Sequence, residues 1–212
     1  MPSEVEVYRR PTRILHWIHT GAFVTLFLTG LILFLPLLAP LAEDSWTRLI
    51  HRAAAVIFVV APLIYIPLNR KTTWRGVRDA FTWGAEDLGW LKAAPAYYFL
   101  GDEAAMPPQG KMNSGQKLWW MMAIVFGGVF IITGLIMWAF KTTAPAALLQ
   151  WMTFLHDVAF VTTAPMLFVH IYLGVLHPMM QGSWNAMARG RVPAEFVKAH
   201  HARWYNEIDK NR

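Results

Sequence analysis

Cysteine is absent from the 212 residues of this chain. Disulfides, iron–sulfur clusters held by the chain itself and covalently attached c-type haem are thereby excluded. Charge is scarce as well. Asp, Glu, Lys and Arg make up 15% of the residues, against about 25% in an ordinary globular domain. Strand-like alternation of useful length is missing, and no internal repeat is visible. The continuous basic stripe that nucleic acid would need is missing too, because the Lys and Arg residues flank apolar runs. What remains is strongly apolar: 56% of the residues are hydrophobic, with 13 Phe, 11 Trp and 11 Met. The mean hydropathy is +0.34 and the mass 24.2 kDa. That composition fits one small membrane domain and leaves no room for a separate catalytic domain.

The uncharged runs set the architecture. A helix needs about 20 mostly apolar residues to cross the hydrocarbon core. Residues 14–42, 53–69 and 118–140 carry no Asp, Glu, Lys or Arg, and residues 142–188 carry only Asp157. The pattern predicts an all-α integral membrane four-helix bundle, a single membrane domain over 1–212, with helices at about 13–38, 49–68, 116–140 and 147–177. A loop at 70–115 and a tail at 178–212 complete it. The second span contains Pro62 and Pro67 and crosses only if the turn at 49–52 is helical. The loop is too polar and too broken by proline to span.

Basic residues are unevenly placed. Sixteen of the 19 Lys and Arg precede the first span, lie between the second and third, or follow the fourth. The two other connections hold only Arg48, Arg52 and Lys141. By the positive-inside rule both termini and the long loop are cytoplasmic, in a multi-pass protein of the bacterial cytoplasmic (inner) membrane. Arg9-Arg10 followed by an apolar run and APLA at 39–42 imitates a secretory signal. A signal core is about 7–15 residues, and this run is roughly twice as long, so the first span is expected to be retained.

Eight histidines then stand out. Ionisable side chains at membrane depth are costly and mark function by default. His156 and His170 are 14 residues apart on one predicted helix. That spacing is about 21 Å along the axis and about 1400° of rotation, only about 40° short of four full turns. Both imidazoles therefore share a side, one at each level of the membrane. His51 lies at the outer level with His156, and His16 at the inner level with His170. Two facing neutral imidazoles can ligate one haem iron axially and leave no open position for a substrate, which is an electron-transfer arrangement. Two haem b groups held in this way would carry electrons across the bilayer.

Blander readings stand beside this one. Each histidine could simply bond a neighbouring carbonyl. A zinc site needs three or four ligands around one ion, and these residues sit at two levels. A proton channel or transporter would need a polar path, for which Asp157 is the only acid inside a span. His19 and His177 each lie close to an inner-level histidine, and their roles stay open. The glycines within the spans, Gly30 and Gly134 among them, allow close approach of helices or of a flat macrocycle. Asn113 or Ser114 with Gln116 also reads as a helix N-cap.

Several segments together resemble a known family. They are RILHW at 13–17, LIH at 49–51, NSGQK at 113–117, LH at 155–156, HIY at 170–172 and the tail HHARWYNEI at 200–208. Over nearly its whole length the chain resembles the gamma subunit of membrane-bound formate dehydrogenase, a di-haem cytochrome b. The resemblance implies that His51 and His156 hold the outer haem, and His16 and His170 the inner one. It implies that a quinone, menaquinone in the family, binds at Asn113, Gly115 and Gln116 beside His170. It further implies an iron–sulfur subunit and a molybdenum or tungsten catalytic subunit as partners. The chain would then reduce quinone without itself oxidising formate. Related di-haem subunits serve hydrogenases and thiosulfate or polysulfide reductases. The stretch 174–190, with His177-Pro178, departs from the formate dehydrogenase pattern, so a cytochrome b subunit of one of those complexes is the alternative.

Overall fold

The computed structural model describes residues 3–102 and 106–210. Residues 103–105 of the long loop and Arg212 of the basic tail lie outside them. The chain divides into two compact units.

The first unit comprises Arg10–Arg70 and Met122–Ile171. It contains α1 (Arg10–Phe34), α2 (Trp46–Leu68), most of α5 (Ser114–Ala139) and α6 (Ala146–Ile171). All four helices are long and apolar enough to cross a membrane, the last continuing to Leu176. Their 23 to 26 residues correspond to about 35–39 Å, enough for a hydrocarbon core of about 30 Å. Large apolar side chains such as Leu28, Ile132 and Val161 are more than half exposed, which in water would be a liability and in lipid is the favoured state.

Proline placement explains the helix ends. Pro11 sits in the first turn of α1, where its missing N–H costs nothing. The sequence predicts a first helix reaching residue 38, but α1 stops at Phe34. Pro36 is the reason: it forces Leu35 into an extended conformation, φ −87° and ψ 119°, and a short 3-10 helix (Pro36–Ala42) follows. The turn at 49–52 is helical, and α2 starts at Trp46. Pro62 and Pro67 lie inside α2 and Pro165 inside α6 without ending either helix, as membrane helices tolerate. A single π-helical turn (Tyr172–Leu176) follows α6.

The second unit comprises residues up to Arg9, Lys71–Met121 and Tyr172 onward. The stretch read as a loop between spans, 70–115, is largely helical, with α3 (Arg70–Phe81) and α4 (Ala85–Leu100). Asp87 accepts the Gly84 N–H at 3.0 Å and so caps the start of α4. Gly101, at φ 73°, closes its end in the left-handed region that suits glycine. The tail forms α7 (Gln181–Ala188), α8 (Ala194–His200) and α9 (Ala202–Lys210). A three-residue antiparallel ladder joins β1 (Glu4–Glu6) to β2 (Arg191–Pro193), with Val5 opposite Val192. Strands this short carry no alternation that a sequence pattern could show. Val5, Ala186, Val192, Ala194 and Val197 form a small apolar core around it.

Candidate haem sites and the capped start of the third span

The spanning helices bring the four histidines together in two pairs. His51 on α2 and His156 on α6 have ring centroids 6.4 Å apart. His16 on α1 and His170 on α6 have theirs 6.5 Å apart. Two imidazoles on opposite sides of one iron, each nitrogen about 2 Å from the metal, would have ring centres roughly 6.3 Å apart. Both spacings therefore fit a bis-imidazole iron site. Among the described residues no group of three or more His, Cys, Asp or Glu is placed to hold a bare metal ion.

The hydrogen bonds around His51 and His156 sharpen the fit. Thr29 Oγ1 lies 2.8 Å from His51 Nδ1 and donates its own hydrogen to the Thr25 carbonyl at 2.7 Å. A hydroxyl has one hydrogen to give, so the histidine must donate to the threonine. His51 is thereby held as the Nδ1–H tautomer, and the lone pair of Nε2 is free to bind a metal. The arrangement recurs at His156. Thr133 Oγ1 lies 2.7 Å from His156 Nδ1 and donates to the Val129 carbonyl at 2.6 Å. Fixing a ligating imidazole through its second nitrogen is the usual outer-shell device at metal sites.

A glycine follows each threonine. A Cβ at Gly30 would come 3.7 Å from the ring of His51, and one at Gly134 equally close to the ring of His156. Sequence reasoning singled out both glycines but not the threonines. A signal was present: the run Thr-Gly-Leu-Ile occurs at 29–32 and again at 133–136. It is too short to stand out against so apolar a background.

His16 differs from His51 and His156. His16 Nδ1 is buried with no hydrogen-bond partner among the described residues, and its ring meets Trp17 edge-on at 5.0 Å. His19 packs on Phe58 of α2 at 4.3 Å. His177 belongs to the second unit, where it is buried between the rings of Tyr98 and Tyr172. Its Nε2–H donates to the Tyr98 carbonyl at 3.1 Å, which occupies the nitrogen that a ligand would use.

Asn113, Gly115 and Gln116 form the first turn of α5. The Gln116 N–H donates to Asn113 Oδ1 at 2.8 Å, and the Asn113 N–H donates to Gln116 Oε1 at 3.0 Å. This reciprocal pair is a capping box. It fixes both amide groups with their oxygens inward and leaves the two NH2 groups uncommitted to the cap. Gly115 has a steric role, since a Cβ there would meet Trp90 at 2.8 Å.

Below this turn lies a buried polar cluster that sequence reasoning missed. Lys117 Nζ is 2.8 Å from Asp87 Oδ1, and both side chains are buried. Ser114 Oγ donates to Asp87 at 2.7 Å, and Lys117 also donates to the Thr82 carbonyl at 2.9 Å. Burial pushes the Asp87 carboxyl up, but the bonds from Lys117, Ser114 and Gly84 outweigh it and hold Asp87 below the usual carboxylate range. The Ser114 N–H donates to Gln109 Oε1 at 3.0 Å. The conspicuous tail braces this turn. His201 Nδ1–H donates to the Gly110 carbonyl at 2.8 Å, the Arg203 N–H donates to the Gln109 carbonyl at 3.0 Å, and Arg203 pairs with Glu86.

Comparison with known proteins agrees with this architecture. Residues 7–190 match the family model described as prokaryotic cytochrome b561. The cytochrome b556(Fdn) subunit of the nitrate-inducible formate dehydrogenase of Escherichia coli K12 is 27% identical over 207 residues, 93% of this chain and 88% of the relative. The formate dehydrogenase cytochrome b556 subunit of Haemophilus influenzae is 30% identical over 207 residues, 94% and 82% of the two chains. A probable Ni/Fe-hydrogenase B-type cytochrome subunit of Bradyrhizobium diazoefficiens is 28% identical over 145 residues, 58% of this chain and 56% of the relative. With four membrane-spanning helices and histidine pairs spaced for haem iron, the chain belongs to the prokaryotic cytochrome b561 family.

Proposed function

We propose that this chain is the membrane cytochrome b of a formate dehydrogenase complex, passing electrons from an iron–sulfur subunit to quinone. The observation that carries the proposal is the pair of imidazole sites, at 6.4 and 6.5 Å, one of them locked by two threonines. When bound, two haem b groups supply one-electron carriers near either membrane face. His51 and His156 would hold the outer one, with Thr29 and Thr133 keeping their Nδ1–H tautomers in place and Nε2 free. His16 and His170 would hold the inner one. Both termini and the 70–115 segment are cytoplasmic, on the distribution of Lys and Arg. Asn113 and Gln116 present their NH2 groups to a quinone carbonyl, menaquinone by resemblance, and Gly115 keeps the turn thin. A quinone reduced at that face takes its protons from the cytoplasm.

The formate dehydrogenase reading is favoured over a hydrogenase cytochrome because the relatives so named align over 93–96% of the chain, against 58% for the hydrogenase subunit. Two experiments test the proposal. His51→Ala and His156→Ala should each remove the same haem, read by reduced absorption bands and redox titration of the purified protein. Loss of different haems in the two variants refutes the pairing. Purification of the tagged chain from native membranes should bring down a molybdenum or tungsten subunit, and a nickel–iron subunit instead would assign it to a hydrogenase.

A further inference from the structure

The second unit contains a cavity of about 660 Å³ whose walls carry charge that neither haem nor quinone uses. Six basic side chains line it, against the acids Asp79 and Glu207. Two of the six have carboxylate partners: Lys117 with Asp87 and Arg203 with Glu86. The other four, Lys71, Arg75, Arg78 and Lys111, have no salt-bridge partner among the described residues. Lys111 is wedged between the rings of Tyr8 and Trp204, at 5.8 and 5.2 Å. Burial, then the neighbouring charges of Arg75 and Arg9, hold its ammonium below the usual lysine range, although Glu6 and Asp79 pull the other way. Cations crowded to that degree around a hollow leave a place for an anion.

We propose that this cavity binds the phosphate headgroup of an anionic membrane lipid. Chain connectivity favours a lipid over a soluble phosphate. Lys71 follows the last residue of the spanning helix α2 by three positions, and Lys117 lies in the first turn of the spanning helix α5. Side chains one turn from the end of a span stand at headgroup level, where lipid phosphates are concentrated. Basic clusters directly beside spans on the cytoplasmic side are the usual recognisers of acidic headgroups. Trp74, 71% exposed on the same wall, is an aromatic suited to the membrane interface. Guanidinium groups of Arg75 and Arg78 match phosphate oxygens in pairs. The cavity lies within the size range of small-ligand sites, about 300–1,000 Å³.

The test uses the full chain, purified and delipidated in detergent, with lipid binding followed by native mass spectrometry. Dioleoyl phosphatidylglycerol should bind to the wild type about tenfold more tightly than phosphatidylcholine. Arg75→Gln/Arg78→Gln/Lys111→Gln should abolish that preference. Arg189→Gln/Arg191→Gln/Lys198→Gln, which removes equal charge outside the cavity, should retain it. A wild type without the preference, a cavity variant that keeps it, or a control that loses it equally would each overturn the site. Displacement of phosphatidylglycerol by inorganic phosphate at matched concentration would identify a soluble-anion site and overturn the lipid assignment. Rising salt should weaken phosphatidylglycerol binding to the unmutated protein, so the charge argument is tested even if a variant misfolds. The haem absorption of every sample reports separately on the electron-transfer proposal, which stands or falls without the lipid result.

Discussion

At Thr133 one hydroxyl decides how His156 presents its ring. Thr133→Val keeps the shape but removes the acceptor for His156 Nδ1–H. Loss of such an outer-shell partner costs about 10–100-fold in metal affinity at comparable sites. The expected outcome is a shifted midpoint potential of the outer haem and its partial loss during purification, with Thr133→Ser restoring both. A purely structural threonine would leave the potential unchanged. Thr29→Val should disturb the same haem, because its partner His51 faces His156. Gln116 caps α5, and two substitutions separate that role from the proposed bond to quinone. Gln116→Glu retains an oxygen for the Asn113 N–H and adds a charge that a helix N-terminus favours, but it removes the NH2 donor. It should weaken quinone binding by several-fold to about tenfold, one net hydrogen bond, with thermal stability unchanged. Gln116→Leu should weaken quinone binding similarly and also lose about 0.5–2 kcal/mol of stability with the cap. Equal quinone kinetics in wild type and Gln116→Glu would reduce this residue to a cap alone.

Among the elements, the start of α5 depends most on a single buried pair. Lys117 and Asp87 tie α5 to the capped start of α4. Lys117→Met would leave the Asp87 carboxylate buried beside Ser114 without its cation. Removing one partner of a buried pair costs about 3–5 kcal/mol, so the variant should unfold at clearly lower denaturant or temperature. Lys117→Met/Asp87→Leu should recover much of the loss, because two apolar side chains need no partners. A single variant as stable as the double would show that water reaches Asp87 freely. The tail helices α8 and α9 act on the same place through the Gln109–Gly110 backbone. Their distinctive HHARWY sequence therefore has a local physical use.

For the whole molecule, the asymmetry of Lys and Arg predicts orientation. Reporter fusions at residue 90 and at the C-terminus should both give a cytoplasmic signal. A periplasmic signal at either would overturn the four-span topology and the order of the two haems with it. The second unit should also respond to acid. Burial chiefly, with the charge of His200, lowers the pKa of His201 against the raising effect of its bond to Gly110. The unfolded tail would bind a proton near the usual value of about 6.5, while the folded tail resists it. Stability from His201 is therefore complete above about pH 6.5 and declines as pH falls below it. Asp87 contributes in a separate window, lost only in the acid range below its usual value of about 3.9. Hydrogen exchange in residues 194–210, corrected for intrinsic rate, should be faster at pH 5.5 than at 7.5. His201→Gln should flatten the difference.

Composition and spacing alone determined the membrane class, the four spans and the two levels at which histidines could meet. Long uncharged runs have no other stable use in a chain this size, and a 14-residue spacing returns His156 and His170 to one side of any straight helix. Pro36 was legible too, but Pro62, Pro67 and Pro165 lie inside unbroken helices, so the presence of a proline did not by itself mark the end of α1. Tertiary structure decided the rest. Which nitrogen of His51 is free follows from a threonine 22 positions away, and for His156 from one 23 positions away. The pairing of Lys117 with Asp87 spans 30 positions, and the bond from His201 to Gly110 spans 91. Periodicity reports only which side of its own helix a residue occupies. It cannot report which distant group arrives there, and that arrival set the tautomers, the buried Lys117–Asp87 pair and the crowded cations.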